Sequence, residues 1–266
     1  MNIRRLAAVF ATLLLSAAAY AAAPAGRIYD TQAARDISPE ELVKQLSEAD
    51  IVLVGEKHDE AAHHAAELWL LQQTADVRKN GSVLLEMLDS TQQKSVSEVQ
   101  QWLLAGGDTP ARRLSEKMEW NPAWNWQDYS AVVAEIMHSP AKVLAANPPR
   151  AETRKAAAFV PSGKFSSDAQ VREALGSIMG GNHGSTEGLV SMQQFKDHTM
   201  TQNLIAAPKP AWLLAGAIHT SKRLGVPLFL RDAAVSGKVK VLVLTHDTAG
   251  MTHEHGDYIW YLHKQP

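Results

Sequence analysis

An apolar strand followed by a glycine and then a histidine occurs twice in this chain, and this repeat constrains the fold more than any other feature. Four apolar residues at 51–54, three of them β-branched, predict a buried strand that stops at Gly55. His58 follows three residues after that glycine, and the apolar run at 211–215 is followed in the same way by Gly216 and His219. Ligands bind at the carboxyl ends of strands in open parallel sheets, so the two motifs predict one shared site at that edge.

Alternating helix and strand patterns along the rest of the chain predict a three-layer α/β domain, with five or six strands in a mainly parallel sheet and helices on both faces. Further strands are predicted at 83–88, at 142–146, at 239–244 and, as an antiparallel edge strand, at 257–263. A capping box at 38–41 predicts the start of the first helix. The segment 89–210 is predicted to be a mostly helical lobe or lid, with a mobile loop at 176–188 that contains His183.

The first 21 residues are predicted to be a signal peptide that precedes a single domain at 22–266. Arg4 and Arg5 stand before an apolar run that is too short to cross a bilayer as a permanent helix. Residues 19–21 are Ala-Tyr-Ala, with small residues at the two positions that a signal peptidase recognises. The chain has no cysteine, which excludes a lipidated cysteine and a disulfide. We therefore expect a periplasmic protein without a stable membrane anchor.

Composition narrows the range of partners and reactions. A formal net charge of −2 and a pI near 6.6 offer no polybasic surface for nucleic acid. The sequence contains no His-Glu-x-x-His motif, no phosphate-binding glycine loop and no Gly-x-Ser-x-Gly motif. Zinc protease, nucleotide-binding and ordinary serine-hydrolase functions therefore lack support.

Histidine and glutamate side chains are the candidate functional groups at the predicted edge, because they suit metal or haem-iron ligation as well as acid–base catalysis. Glu86 is a single carboxylate in an otherwise apolar strand, and burying it is costly unless it is paired or coordinated. For His63 and His64 in the following helix, we expect one ring to face solvent and assign neither to the site. The loop 120–126 contains three tryptophans and is expected to pack over another part of the molecule.

These features stand in an order and spacing that resemble the ChaN-like haem-binding uptake proteins of the Tiki superfamily, through nearly all of the chain after residue 21. The resemblance is carried by Val54-Gly55-Glu56-Lys57-His58-Asp59 with His63-His64, Leu84-Leu85-Glu86-Met87, Trp124-x-Trp126-x-x-Tyr129, Ala145-Ala146-Asn147-x-Pro149-Arg150, His183, the segment 192–197, Gly216-x-x-His219, Gly225-Val226-Pro227 and Tyr258-x-Trp260. It implies an α/β fold with both Gly-x-x-His motifs and the strand glutamate at one site. It also implies haem acquisition at the cell envelope for many bacterial members, whereas other branches resemble metal-dependent proteases or esterases.

The first hypothesis is a periplasmic haem-binding protein that assists haem or iron uptake together with envelope uptake components. The residues predicted to bind haem are His58, Tyr129, His219, Trp124, Trp126, Arg150 and Lys57. Aromatic rings suit the porphyrin face, a Tyr or His suits the iron, and cationic side chains suit the propionates. A flat porphyrin also needs cover on its second face, which either a homodimer or closure of the loop at 176–188 would supply.

The second hypothesis is a metal-dependent hydrolase. His58, Glu86 and His219 would then hold a divalent ion such as Zn²⁺ or Mn²⁺ that activates water, with Glu56 or Glu86 as the catalytic carboxylate. The tryptophan loop at 120–126 favours haem binding and the two glutamates favour hydrolysis. The sequence leaves both hypotheses open.

Overall fold

One eight-stranded sheet forms the centre of the molecule in the computed structural model, which describes residues 22–180, 186–246 and 250–263. The strands are β1 (Gly26–Asp30), β2 (Arg35–Ile37), β3 (Ile51–Glu56), β4 (Ser82–Asp89), β5 (Lys142–Asn147), β6 (Ala211–Gly216), β7 (Val239–Thr245) and β8 (Tyr258–Leu262). Their order across the sheet is β2-β1-β8-β7-β3-β6-β4-β5. The six strands from β8 to β5 are parallel, and β1 runs antiparallel to both β8 and β2.

Helices cover both faces of this sheet. Those in the described residues are α1 (Pro39–Ser47), α2 (Ala61–Val77), α3 (Gln93–Leu104), α4 (Ala111–Lys117), α5 (Trp126–His138), α6 (Arg150–Lys155), α7 (Ala169–Met179), α8 (Glu187–Ala206), α9 (Ala217–Thr220) and α10 (Val226–Asp232). Alternate side chains of β3 enter two separate cores, as the period of a strand requires. Val52 and Val54 pack in the core that contains residues of α1 to α5, whereas Ile51 and Leu53 pack with residues of α8 and α10. The predicted three-layer α/β fold is confirmed.

The sheet is wider than predicted, and one strand direction was wrong. The strands β1 and β2 were not predicted; they are short and carry several charged or exposed residues. The segment 257–263 was expected to be an antiparallel edge strand, but β8 lies inside the sheet, parallel to β7. All five residues of β8 are buried, which is typical of a parallel strand covered on both faces.

The middle of the chain is mostly helical and contributes β5 to the same sheet. The predicted loop at 176–188 was too long, because Gly176 lies inside α7 and α8 begins at Glu187. His183 and the predicted signal peptide lie outside the described residues. The expected helix start at 38–41 is confirmed by Ser38, whose Oγ accepts the backbone N–H of Glu41 at 3.1 Å. No helix in the described ranges is long and apolar enough to cross a membrane.

Candidate functional site

Three neighbouring parallel strands bring the two Gly-x-x-His motifs and the strand glutamate together. The strand β6 lies between β3 and β4, and Glu56 at the end of β3 pairs in register with Gly216 at the end of β6. His58 follows β3, His219 lies in α9 directly after β6, and Glu86 projects from β4. The structure thus brings His58, Glu86 and His219 to one edge of the sheet, as the strand-end pattern predicts.

Glu86 is the centre of this group, which we call the Glu86 cluster (His58, Glu86, His219 and Asp197). Its Oε2 accepts the backbone N–H of Gly216 at 2.8 Å and lies 3.6 Å from Nε2 of His58. Its Oε1 lies 3.2 Å from Nε2 of His219. Burial alone would raise the pKa of Glu86, but the neighbouring histidines and this backbone N–H outweigh burial and hold the pKa well below its usual range. Glu86 is therefore a buried carboxylate whose negative charge is compensated.

His219 is held between two carboxylates. Its Nδ1 lies 2.6 Å from Oδ1 of Asp197, a fully buried residue of α8, and its Nε2 faces Glu86. Burial alone would lower the pKa of His219, but Glu86 and Asp197 outweigh it and raise the pKa to about 10. The ring is therefore an imidazolium at neutral pH, with both N–H groups directed at carboxylates.

The glycines of the two motifs allow this close approach. A Cβ on Gly216 would lie 2.8 Å from Nε2 of His58, so a side chain there would displace the histidine. A Cβ on Gly55 would lie 2.1 Å from Oγ1 of Thr220 in α9. Each glycine thus makes room for the loop or helix that follows the neighbouring strand.

Glu56 connects the Glu86 cluster to the protein interior. Its Oε1 lies 2.9 Å from Nδ1 of His58 and accepts the hydroxyl of Tyr129 at 2.8 Å, and its Oε2 lies 2.7 Å from Nε2 of His64. Burial alone would raise the pKa of Glu56, but the contacts with His58 and His64 lower it to about 2. Burial and the charge of Glu56 raise the pKa of Tyr129 far above its usual value. Tyr129 is thus a neutral, buried donor to Glu56.

The expectation for His63 and His64 was wrong, because both rings are buried. His63 Nδ1 accepts the backbone N–H of Lys57 at 2.9 Å, and the ring of His64 packs on Tyr129 with centroids 4.5 Å apart. Burial lowers the pKa of His63 to about 4, with a contribution from His246. The helix α2 starts directly after the end of β3 and has buried residues around most of its circumference, so adjacent positions on it are both enclosed.

Two cavities open beside this group. The larger, of about 840 Å³, lies next to His58 and His219 and has a volume typical of small-molecule sites. Its apolar wall is formed by Ile218, Val243, Leu244 and Met251. The smaller, of about 370 Å³, lies next to Glu86 and Trp124 and is lined by the cationic side chains of Arg150, Arg154 and Lys196. The rings of His58 and Trp124 meet edge to face at 4.7 Å.

The remaining residues of the predicted haem site lie further from these cavities or are engaged elsewhere. Lys57 lines the larger cavity, but its Nζ is paired with Glu60 at 2.8 Å and Asp59 at 3.2 Å. Trp126 packs edge to face on Trp120 with centroids 5.1 Å apart and lines neither cavity. The tryptophan loop packs over Tyr129, as expected for a loop so rich in large rings.

Two polar residues of α8 belong to the site although the sequence analysis did not assign them there. Asp197 contacts His219, and the side-chain amide of Gln193 lies 3.0 Å from the same ring. Both are buried, and their spacing of four residues places them on one face of the helix. Two polar residues four positions apart on a long helix are the sequence signal that could have assigned them to the site.

A second group of titratable residues satisfies the distance requirement of a metal site better than the first. Within the described part of the chain, Glu56, His64 and Glu67 form a group of three whose ligand atoms all lie within 4.8 Å of one another, whereas His58, Glu86 and His219 do not form such a group. Carboxylate and imidazole are both ligands of Zn²⁺ and of other divalent first-row metals.

Comparisons with known proteins place this geometry in context. The protein-family model described as haem-binding uptake, Tiki superfamily, ChaN matches residues 42–230. The fold is similar to that of ChaN of Campylobacter jejuni, whose structure is described for cofacial haem binding, with 29% identity, a TM-score of 0.81 and coverage of 90% of this chain and 97% of that one. A mutant of the erythromycin esterase EreC in its open conformation shares the fold at 13% identity and a TM-score of 0.50, over 85% of this chain and 78% of that one. No curated protein sequence matches significantly.

Proposed function

This chain belongs to the ChaN family of haem-binding uptake proteins in the Tiki superfamily, and we propose that it binds haem in the larger cavity beside His58 and assists haem or iron uptake. The similar ChaN of Campylobacter jejuni binds haem cofacially. The observation that carries the proposal is the imidazole of His58, whose side chain is 35% exposed and lies beside a cavity of about 840 Å³ with an apolar wall.

His58 fits the requirements of an iron ligand. A carboxylate only accepts hydrogen bonds, so the 2.9 Å contact with Glu56 places the proton of a neutral ring on Nδ1 and leaves the lone pair on Nε2. Histidines that bind metals are oriented in the same way by a carboxylate on the other nitrogen. Burial alone would lower the pKa of His58, but Glu56 and Glu86 outweigh it and raise the pKa.

The other predicted haem-binding residues divide into two roles. Tyr129 and His219 are committed to Glu56 and Glu86, and we propose that they hold the carboxylates that orient His58. Trp124 supports the ring of His58, and Arg150 offers a cation for a propionate from the smaller cavity. Arg150 makes no ion pair with any residue that the structure describes. The apolar wall of the larger cavity would contact the porphyrin, whose bound iron is the cargo of uptake.

We also propose a homodimer and a periplasmic location. A porphyrin that lies in an open cavity has a second face to cover, and cofacial binding, as described for ChaN of Campylobacter jejuni, places a second haem there. A second copy of this chain would hold that haem. The predicted signal peptide at 1–21 supports export. Intact mass and N-terminal sequencing of protein from a periplasmic fraction test the export, with a mature start near Ala22 expected.

Hemin titration of the purified chain tests haem binding. We expect a shifted Soret band that saturates at a defined stoichiometry and an affinity at least about tenfold weaker in His58→Ala, since loss of a ligand bond costs more than about 1.4 kcal/mol. The matched control is His138→Ala, because His138 is exposed at the end of α5 and contacts only the carbonyl of Ala134 there. Dimerisation on hemin addition is measured by analytical ultracentrifugation.

The hydrolase hypothesis predicts a different result for the hemin titration. Non-saturating hemin binding, combined with zinc- or manganese-dependent peptide or ester hydrolysis that His58→Ala abolishes, would overturn the proposal. The geometry favours haem over this alternative because the larger cavity beside His58 has an apolar wall that suits a porphyrin face.

A further inference from the structure

A second cluster of titratable side chains lies in the interior, on the far side of Glu56 from His58, and the proposed haem binding assigns no role to its two helical members. We call it the Glu67 cluster (Glu56, His64 and Glu67). Glu56 ends β3, and His64 and Glu67 lie three residues apart in α2, which places them on one face of the helix. The strand end and the helix face thus bring three potential ligands to one point, with their ligand atoms within 4.8 Å of one another.

Glu67 has no partner within the described residues. Its side chain is 0% exposed, and neither carboxylate oxygen accepts or donates a hydrogen bond. A buried carboxylate in this condition costs several kcal/mol of stability unless a cation or a proton neutralises it. Glu56 brings a second carboxylate to the same point, so the cluster holds two acidic groups and one imidazole.

The contact between Glu56 and His64 brings two of the three potential ligands together. Oε2 of Glu56 and Nε2 of His64 are 2.7 Å apart, a separation typical of a charge-assisted hydrogen bond. A metal ion bound by both atoms would take the place of the proton between them.

We propose that Glu56, His64 and Glu67 bind one divalent transition-metal ion in a buried site behind the haem cavity, which Glu56 also lines. Two carboxylates and one imidazole suit Zn²⁺, Mn²⁺ or Fe²⁺, and a charge of +2 balances the two carboxylates. Three protein ligands leave further coordination positions for water. Because Glu56 contacts His58 through its other oxygen, the ion would also fix the carboxylate that orients the haem-binding histidine.

The competing explanation is a proton rather than a metal ion. Burial and the charge of Glu56 raise the pKa of Glu67 well above its usual range, so Glu67 can also be neutralised by protonation. The two explanations differ in metal content and in the response to chelators.

The test is metal analysis of the untagged, full-length chain, purified without chelator and measured by inductively coupled plasma mass spectrometry. We expect about one zinc, manganese or iron ion per chain. Treatment with EDTA is expected to remove the ion and lower Tm by several degrees, and added Zn²⁺ or Mn²⁺ is expected to restore it, because an ion that binds only the folded state stabilises it. Glu67→Gln is expected to lose both the ion and the response.

The matched control is Glu86→Gln, which alters an equally buried carboxylate in the neighbouring cluster and is expected to retain the ion. Loss of the ion in Glu86→Gln but not in Glu67→Gln would move the metal to the Glu86 cluster and overturn the proposal. Wild-type protein that contains no ion and whose Tm responds to neither EDTA nor added Zn²⁺, Mn²⁺ or Fe²⁺ would overturn it as well. The wild-type measurements decide even when a variant fails to fold. Hemin is absent throughout, so this result is independent of haem binding.

Discussion

Glu86 and Glu67 are both buried, but their surroundings stabilise the negative charge of Glu86 and destabilise that of Glu67. Glu86 accepts a backbone N–H and lies beside two histidines, which hold its pKa below the usual range. Glu67 has no hydrogen-bond partner in the described structure, and burial raises its pKa. Burial alone therefore does not define the role of a carboxylate. The partners decide whether it remains ionised, takes up a proton or binds a metal ion.

The difference follows from the secondary-structure element that carries each side chain. Glu86 lies on β4, where its carboxylate meets the last residue of the neighbouring strand β6, Gly216, and His58 from the loop after β3. Glu67 lies in the second turn of α2 and faces Glu56, another carboxylate. Glu86 is thus paired within the protein, whereas Glu67 has no hydrogen-bond partner among the described residues. Four measurements test this contrast.

Substitution of His219 is expected to have the largest effect. His219→Ala leaves the buried carboxylates of Glu86 and Asp197 without the cation between them, and breaking a buried ion pair costs about 3–5 kcal/mol. Urea unfolding at pH 7 measures the loss, with His138→Ala as the exposed control that stays within about 0.5 kcal/mol of wild type. A loss below about 1 kcal/mol would mean that the charges of the Glu86 cluster are not coupled as described.

Removal of the Tyr129 hydroxyl tests the connection between the two clusters. Tyr129→Phe takes one donor from the charged carboxylate of Glu56 and is expected to lower the free energy of unfolding by about 1.5–3 kcal/mol. Saturable hemin binding is expected to persist with reduced affinity, because Tyr129 holds the carboxylate that orients His58, the proposed ligand. A loss of saturable hemin binding in the folded variant would instead identify Tyr129 as the iron ligand.

The stability of the protein is expected to fall as pH rises through the alkaline range. The pKa of His219 is about 10 in the folded protein, against an ordinary value of 6.5. The stabilisation by its imidazolium is therefore complete below pH 6.5 and declines as pH approaches 10. Between these values the folded state binds one more proton than the unfolded state, which gives a slope of about −1.4 kcal/mol per pH unit. Urea unfolding from pH 6 to 9 should show this slope in wild type and a shallower one in His219→Gln.

The sequence was informative wherever a residue type contradicted its local pattern. A glycine followed three residues later by a histidine marked the ends of β3 and β6, and a lone carboxylate inside an apolar strand marked Glu86. Because parallel strands end at one edge, these signals also predicted the convergence of His58, Glu86 and His219. The direction of β8 was not predictable in this way, since it depends on the path of the chain before the strand and not on the residues within it.

Helical residues of the site were harder to identify. A polar residue on a helix is usually exposed, so the sequence alone would assign Gln193 and Asp197 to the solvent-facing surface of α8. Both are instead buried against His219. In α2, apolar residues occur around most of the helix, and no periodic stripe indicates that His64 and Glu67 share an enclosed face with Glu56. Only the packing of α2 on the end of β3 shows that these three residues meet.

The smallest expected effect is a gain in stability from removing Glu67, and it separates the two carboxylates most directly. In protein treated with EDTA, Glu67→Leu replaces an unpaired buried carboxyl group by an apolar side chain and is expected to raise the free energy of unfolding by about 1 kcal/mol. Glu86→Leu in the same buffer is the matched substitution and is expected to destabilise, because it leaves the N–H of Gly216 and the imidazolium of His219 each short of a partner. Urea unfolding of the three proteins measures both changes. A loss of stability in Glu67→Leu as large as that in Glu86→Leu would show that Glu67 is paired in solution, and the contrast between the two clusters would fail.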